Sequence, residues 1–470
     1  MPHYDLVVIG TGSGNSIVDH DFADWNVAIV EHAKFGGTCL NAGCIPTKMF
    51  VLPADLAASP SEAARLGVDL TLDQVRWPDI RDRIFGRIDP IEDGGRRYRK
   101  HNTNVTVYER TARFTGTRQL LIGDETVTAD AIVLAAGSRP ALPDIAGLAG
   151  TVDVPDSGHH TSDTVMRIDA PPPRMAILGG GYVAAEMAHV FGSFGTDVTV
   201  ITRGEAMLRG EDPDVSARFT ELARQRWDLR TGRQVTRAQR ERGVTALELT
   251  DGSTVHAELV LVAIGRRPNS DVLDAERGGL ALLPDGRIEV DSSQRTSVPG
   301  VWALGDICSA DQLKHVANHQ ARLVRHNLLH PDTPARDDRR AVAHAVFSAP
   351  QIAAVGLTES QASEQGLRYV AATRSYGGVA YGWALEDTTG FCKVLADPDT
   401  GQILGAHIIG PQASSLLQPL IQAMAFGQHP YQVARGQYWI HPSLPEVVEN
   451  ALLDLDLVPP ADGWPTNYLL

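Results

Sequence analysis

The sequence predicts an α/β protein: two Rossmann-like βαβ units for dinucleotides, then a separate C-terminal α+β region. Three observations carry this. An apolar strand pattern, Tyr4 to Ile9, runs into Gly10-Thr11-Gly12-Ser13-Gly14-Asn15, and a second strand pattern, Asn26 to Val30, ends on Glu31. An acidic residue about 20 positions past such glycines has the spacing of a dinucleotide fingerprint. The unit then repeats: Met175 to Leu178 is apolar, Gly179-Gly180-Gly181 turns, a helical pattern runs through Phe191, and Val198 to Ile201 is the next strand. Last, Arg336-Asp337-Asp338-Arg339-Arg340 reads as a solvated linker, and alternating strand patterns with two amphipathic helices follow it.

Each element has a physical reason. Gly10 allows a tight turn, and Gly12 lets the backbone approach a pyrophosphate at a helix N-terminus, where the dipole favours negative charge. Glu31 can accept hydrogen bonds from a ribose. Asn15 stands where the pattern often has its third glycine, so helix–strand packing is expected to differ there. Strands Ala131 to Gly137 and Leu259 to Gly265 each end in glycine, and Val301 to Asp306 closes on Gly305-Asp306. Pro171-Pro172-Pro173 marks a boundary before the second unit. Gly179, Gly181 and Ala184 form its Gly-x-Gly-x-x-Ala turn. Two such units imply two dinucleotides in one chain.

Composition limits the alternatives. A chain of 470 residues is too long for one core. The formal net charge of −15 argues against nucleic acid or an anionic membrane surface as the main partner. No apolar run approaches a membrane span, and MPHYDLVVIG lacks the features of a secretory signal. A cytoplasmic location is expected, where a disulfide would be catalytic rather than structural. Lysine occurs only at Lys34, Lys48, Lys100, Lys314 and Lys393 while arginine is abundant, a bias of GC-rich coding sequence.

The richest segment is Gly36 to Lys48, GGTCLNAGCIPTK, with Cys39 and Cys44 separated by four residues. Two thiols so close can form a small-loop disulfide or ligate a metal. Zinc usually needs a second ligand pair, and Cys308 and Cys392 are distant and alone, so no metal is expected. The segment resembles the redox-active disulfide of the flavoprotein disulfide reductases, the family of glutathione, trypanothione, mycothiol-disulfide and dihydrolipoamide enzymes. The motifs of the whole chain follow that family's order.

That resemblance implies the following roles. The first fingerprint (Gly10, Gly12, Gly14, Glu31), with Gly37, Thr38, Gly137, Gly305 and Asp306, would hold FAD, Lys314-His315-Val316-Ala317 would lie near its ring, and Gly265 would be a further cofactor-binding glycine. Gly179 and Gly181 would hold the nicotinamide cofactor, with Tyr182 over its pocket. NADH-using relatives carry a glutamate after the next strand; here Thr202 stands there, followed by Arg203 and Arg209. Guanidinium suits a 2′-phosphate, so NADPH is expected. Lys48 and Glu186 match an ion pair beside the flavin. Cys44 would be the thiolate nearer the flavin, and Cys39, the more exposed, would attack the substrate disulfide.

His441 and Glu446 match the His-Pro-x-x-x-Glu signature that reaches into the partner subunit's site, which implies a homodimer with shared active sites. Residues 1–150 would form the FAD domain with the dithiol, 151–269 the NADPH domain, 270–340 the segment completing the FAD domain, and 341–470 the dimerisation domain. Cys308 and Cys392 read as structural. The ending Asn467-Tyr468-Leu469-Leu470 lacks the cysteine pair of mercuric and large thioredoxin reductases.

The expected activity is NADPH-driven reduction of a small disulfide. Glutathione reductases place an arginine after the first fingerprint to bind a substrate carboxylate. His20 stands there instead, with Asp19, Asp21 and Asp24, a set expected to repel an anionic tripeptide. Gly10 to Ser16 and Tyr438 to Leu453 resemble the branch that reduces mycothiol disulfide, an uncharged pseudodisaccharide disulfide. The alternatives are a lipoamide- or glutathione-reductase-like enzyme, or an NADPH-linked flavoprotein redox sensor with no disulfide substrate.

Overall fold

The computed structural model describes residues 1–458, so Asn467 to Leu470 lie outside the described residues. The first sheet is built on parallel strands in the order Val105–Tyr108, Val27–Val30, His3–Ile9 and Glu125–Leu134. On its side away from His3–Ile9, the long strand Glu125–Leu134 serves two neighbours. Its first half pairs antiparallel with Gln119–Ile122, and its second half pairs parallel with Val301–Ala303. The chain thus returns to its first sheet after about 170 intervening residues, which brings Gly305 and Asp306 beside the first glycine turn.

The second sheet is all parallel, in the order Asp228–Arg230, Asp197–Ile201, Arg174–Leu178, Leu259–Val262 and His159–His160. Its central strands are buried on both faces and read as continuous apolar runs, as parallel strands do. Gly10 and Gly179 play equivalent parts in the two units. A Cβ on Gly10 would stand 2.2 Å from the carbonyl oxygen of Ala135, and one on Gly179 would stand 2.1 Å from that of Ala263. Only glycine fits either turn.

The first unit departs from expectation. Its connection is not an α-helix but two 3₁₀ turns, Ser13–Ser16 and His20–Phe22. The side chain of Asp19 accepts from the Asp21 N–H, a local bond that competes with helix. The buried Arg99, on helix α3 (Trp77–His101), donates to Asn15 Oδ1 at 2.8 Å and to the carbonyls of Asn15 and Val18. The guanidinium satisfies acceptors that a helix would have satisfied internally. Asn15 is therefore a ligand for Arg99, which a third glycine could not be.

The C-terminal region is a five-stranded antiparallel sheet, Ala343–Val346, Ile352–Gly356, Ile403–Ile409, Phe391–Ala396 and Val370–Ser375, with short helices. In the segment expected to be a solvated linker, Arg336, Asp338, Arg339 and Arg340 are exposed, but it is tied down at Asp337: the side chain is buried, the N–H donates to the carbonyl of Ser292, and His319 lies 3.3 Å from the carboxylate. Among the described residues, no helix is long and apolar enough to cross a membrane.

Candidate active site

The dithiol is set by close backbone packing. Helices α1 (Gly37–Asn41) and α2 (Cys44–Arg65) meet at Gly43, where a Cβ would stand 2.9 Å from the carbonyl oxygen of Thr38. Without that side chain α2 starts against α1, and Cys44 comes within hydrogen-bonding reach of Cys39. Both thiols are free. Interaction with the neighbouring Cys39 holds the Cys44 thiol down to about 7, against the opposing effect of burial. The α2 N-terminus favours the same anion. The neighbouring Cys44 pushes the Cys39 thiol far up.

Cys44 is exposed to the cavity and Cys39 is intermediate. Cys44 is the first residue of α2, and the cavity it faces measures about 2130 Å³. That cavity runs past the first glycine turn, Glu31, both cysteines, Lys48, Asp306 and Lys314.

Its walls fit FAD. Gly12 and Gly37 pack backbone to backbone, and a Cβ on Gly37 would stand 2.8 Å from the Gly12 Cα, so the cradle admits no side chain. The buried Glu31 accepts from the Thr11 N–H at 3.0 Å, the Thr11 hydroxyl at 2.7 Å and the Ala33 N–H at 2.9 Å. A carboxylate has about four acceptor positions, which leaves room for a ribose hydroxyl. Asp306 Oδ2 accepts from the Ser138 hydroxyl at 2.6 Å and faces the same space. Gly137 and Gly305 line it too, as does Thr38.

Lys48 Nζ lies 3.5 Å from Glu186 Oε1 and 2.9 Å from the centre of the Phe347 ring. Its ammonium is buried and has no conventional hydrogen bond, the setting of a group that awaits an acceptor. Burial lowers the Lys48 pKa, and Glu186 opposes that shift. Glu186 is itself held by the Phe347 N–H at 2.8 Å. Phe347 was not legible in the sequence: it follows a strand 161 residues away, and an aromatic residue there carries no motif.

The second fingerprint lies apart. Tyr182 and Glu186, on α4 (Tyr182–Ser193), line the main cavity, whereas Gly179, Gly181, Arg203 and Arg209 do not. Tyr182 is 46% exposed, so it is not core packing. Thr202 is buried against Gly180, where a Cβ would stand 2.7 Å from its hydroxyl. Arg209 lies over Gly204. Neither Arg203 nor Arg209 has a carboxylate within ion-pair distance among the described residues, although most arginines around them do. Gly265 lies on the turn after Leu259–Val262, outside that cavity.

His441 Nδ1 pairs with Glu446 Oε1 at 2.8 Å, and Glu446 Oε2 accepts from the Ser443 N–H at 3.0 Å. Burial works against the Glu446 charge, but these two donors hold its carboxyl below the ordinary range. The His441 side chain is 71% exposed and does not line the cavity that holds Cys39 and Cys44. The acid patch near His20 also differs from expectation. Arg325, on α6 (Lys314–Leu329), pairs with both Asp19 and Asp21, which leaves Asp24 as the unpaired acid. Cys308 and Cys392 are buried, and burial pushes both thiols up to about 12, as inert core cysteines.

The family model for the pyridine nucleotide-disulphide oxidoreductases matches residues 4–321, and the model for their dimerisation domain matches residues 342–452. Mycothione reductase from Mycobacterium tuberculosis (strain ATCC 25618 / H37Rv) is 53% identical over 465 residues, 97% of this chain and 100% of the relative. Glutathione reductase from Burkholderia cepacia is 30% identical, covering 90% of this chain and 92% of the relative. Among solved structures, the HOCl-induced flavoprotein disulfide reductase RclA from Escherichia coli matches with a TM-score of 0.83 at 25% identity, covering 96% of this chain and 100% of that one. With a dithiol on a cavity shaped for FAD and a second dinucleotide fingerprint beside it, the chain belongs to the pyridine nucleotide-disulphide oxidoreductases and works with FAD and NADPH.

Proposed function

We propose that this enzyme reduces mycothiol disulfide to two thiols at the expense of NADPH, through Cys39 and Cys44. The observation that carries the chemistry is the pair of free thiols, Cys39 on α1 and Cys44 at the start of α2, that line the cavity together. The substrate rests on 53% identity along the full length of a mycothione reductase. The His20 region agrees, for a changed reason. Arg325 is occupied by Asp19 and Asp21, so no free cation of that cluster remains to bind a substrate carboxylate.

Bound FAD would relay the electron pair of NADPH to the sulfurs. Gly10, Gly12 and Gly37 would carry its backbone contacts while Gly14, which lies outside the cavity lining, packs the turn against Ala135; Glu31 would hold its ribose, Asp306 its ribitol chain, and Lys48 with Glu186 its ring. Arg203 and Arg209 would hold the 2′-phosphate of NADPH. Cys44 keeps the thiolate of the reduced pair, because its neighbour Cys39 and the N-terminus of α2 lower its pKa. Cys39 gives its proton to His441 of the partner subunit as it attacks one sulfur of the substrate disulfide, and the first thiolate departs. His441 of the partner subunit, oriented by Glu446, supplies the proton that makes this group leave. Cys44 then attacks Cys39, which releases the second thiol and restores the disulfide.

We read residues 1–150 with 270–340 as the FAD part, 151–269 as the NADPH part and 341–470 as the dimerising part. The pairing of Val301–Ala303 into the first sheet supports that division. Steady-state NADPH oxidation with a panel of disulfides tests the proposal. High turnover of mycothiol disulfide is expected, with little of glutathione disulfide, lipoamide or trypanothione. Efficient use of glutathione disulfide with none of mycothiol disulfide would overturn the substrate, and silence across the panel would overturn the activity.

A further inference from the structure

We propose that His189 is a positioning residue for the reaction: it locks the helix that carries Cys44 to the helix that carries Glu186, and so fixes where the Lys48 ammonium stands. The inference rests on the reading that Lys48 and Glu186 serve the flavin ring. Two rungs cross the helix pair α2 and α4. The first is Lys48 with Glu186, 3.5 Å apart. The second is Asp55 with His189, whose Nε2 lies 2.6 Å from Asp55 Oδ1. Asp55 stands seven residues after Lys48, and His189 stands three after Glu186, so each helix presents both of its members on one face.

The imidazole is 0% exposed and satisfied on both sides. Arg226, the last residue of α5 (Pro213–Arg226), can only donate, and it reaches Nδ1 at 3.2 Å; the Ser193 hydroxyl lies 3.3 Å from the same atom. Nδ1 therefore accepts, and Nε2 carries the hydrogen that Asp55 receives. Arg226 also donates to the carbonyl of Ala349. Two residues before Ala349 is Phe347, whose N–H holds Glu186 and whose ring lies against Lys48. The second rung thus closes a circuit of α2, α4, α5 and segment 347–349 around the first.

The Lys48 ammonium has no conventional hydrogen bond of its own. Its place follows from the spacing of α2 and α4 and from Phe347. Apolar packing alone defines that spacing loosely, because Ala54 on α2 and Ala185 and Ala188 on α4 are small residues of one core. A directed bond between Asp55 and His189 admits one register of the two helices, since a slip would leave a buried polar ring unpaired.

The test is a double-mutant cycle read by the midpoint potential of the bound flavin, measured once the dithiol is reduced. Lys48→Met is expected to lower the potential, because a cation beside the ring favours its electron-rich reduced form. His189→Leu should lower it by about tenfold in the reduction equilibrium, about 30 mV for two electrons. His189→Gln should stay within about two-fold of the unmodified enzyme, because its amide can donate to Asp55 and accept from Arg226. In the Lys48→Met background, His189→Leu should have no further effect. If His189→Leu does not retain FAD, Asp55→Ala breaks the same bond from its partly exposed side and takes its place in the cycle. A lower melting temperature with an unmoved potential is the signature of packing alone and overturns the proposal, as does an equal shift with and without Lys48. An unmoved potential in Lys48→Met would instead overturn the reading that Lys48 serves the flavin.

Discussion

Arg203 and Arg209 are the residues by which the choice of nicotinamide cofactor can be tested. Both stand beyond the strand Asp197–Ile201 without a carboxylate partner among the described residues. A free guanidinium there is a ready site for a phosphate. Arg203→Ala should weaken NADPH by about 1.5–3 kcal/mol, roughly ten- to a hundred-fold, through loss of a charge-assisted bond. NADH should change far less, because it has no group at that place. Separate KM values for the two cofactors check this, and equal use of both by the unmodified enzyme would contradict it. The residues legible in the sequence were those whose role follows from local spacing: Cys39, Cys44, Glu31, and His441 with Glu446. Those that were not depend on a distant partner. Ser13 meets Lys314 across 301 positions, and Asp19 meets Arg325 across 306. No window of sequence contains either pair.

At the scale of elements, strands and glycine turns were legible because apolar runs ending in glycine have one economical arrangement. The first connection was not. Its aspartates and Asn15 favour local bonds over helix, and only the tertiary approach of Arg99 makes the broken form stable. A second feature hidden from sequence joins the nucleotide part to the C-terminal sheet. Lys393 is 2% exposed and meets Asp212 at 2.9 Å, Asp214 at 2.7 Å and Glu359 at 2.5 Å. Asp212 also accepts from the Glu359 N–H at 3.0 Å, and His344 pairs with the adjacent Glu211 at 2.9 Å. These contacts fix α5 (Pro213–Arg226) against the sheet of residues 343–409. Lys393→Met should destabilise the protein by about 3–5 kcal/mol, because the buried Asp212 carboxylate loses its cation. A thermal melt checks it: a lower melting temperature is expected, and an unchanged one would show that the cluster contributes little.

At the scale of the whole molecule, the chain carries the acid His441 away from the thiols it is meant to serve. His441 does not line the cavity of Cys39 and Cys44, and beside it Tyr438 and Ile440 are strongly exposed, as is Phe426. Exposed apolar groups of this kind mark an interaction surface, and residues 342–452 match a dimerisation domain. The account therefore predicts that neither subunit completes a site by itself. The most direct test mixes two inactive variants, Cys39→Ser and His441→Ala, under conditions where subunits are shown to exchange. Each alone should still accept electrons from NADPH into its flavin while turning over disulfide poorly. In the mixed dimer one site combines an intact Cys39 with an intact His441, so part of the activity should return. No recovery despite demonstrated exchange would contradict a site shared between subunits.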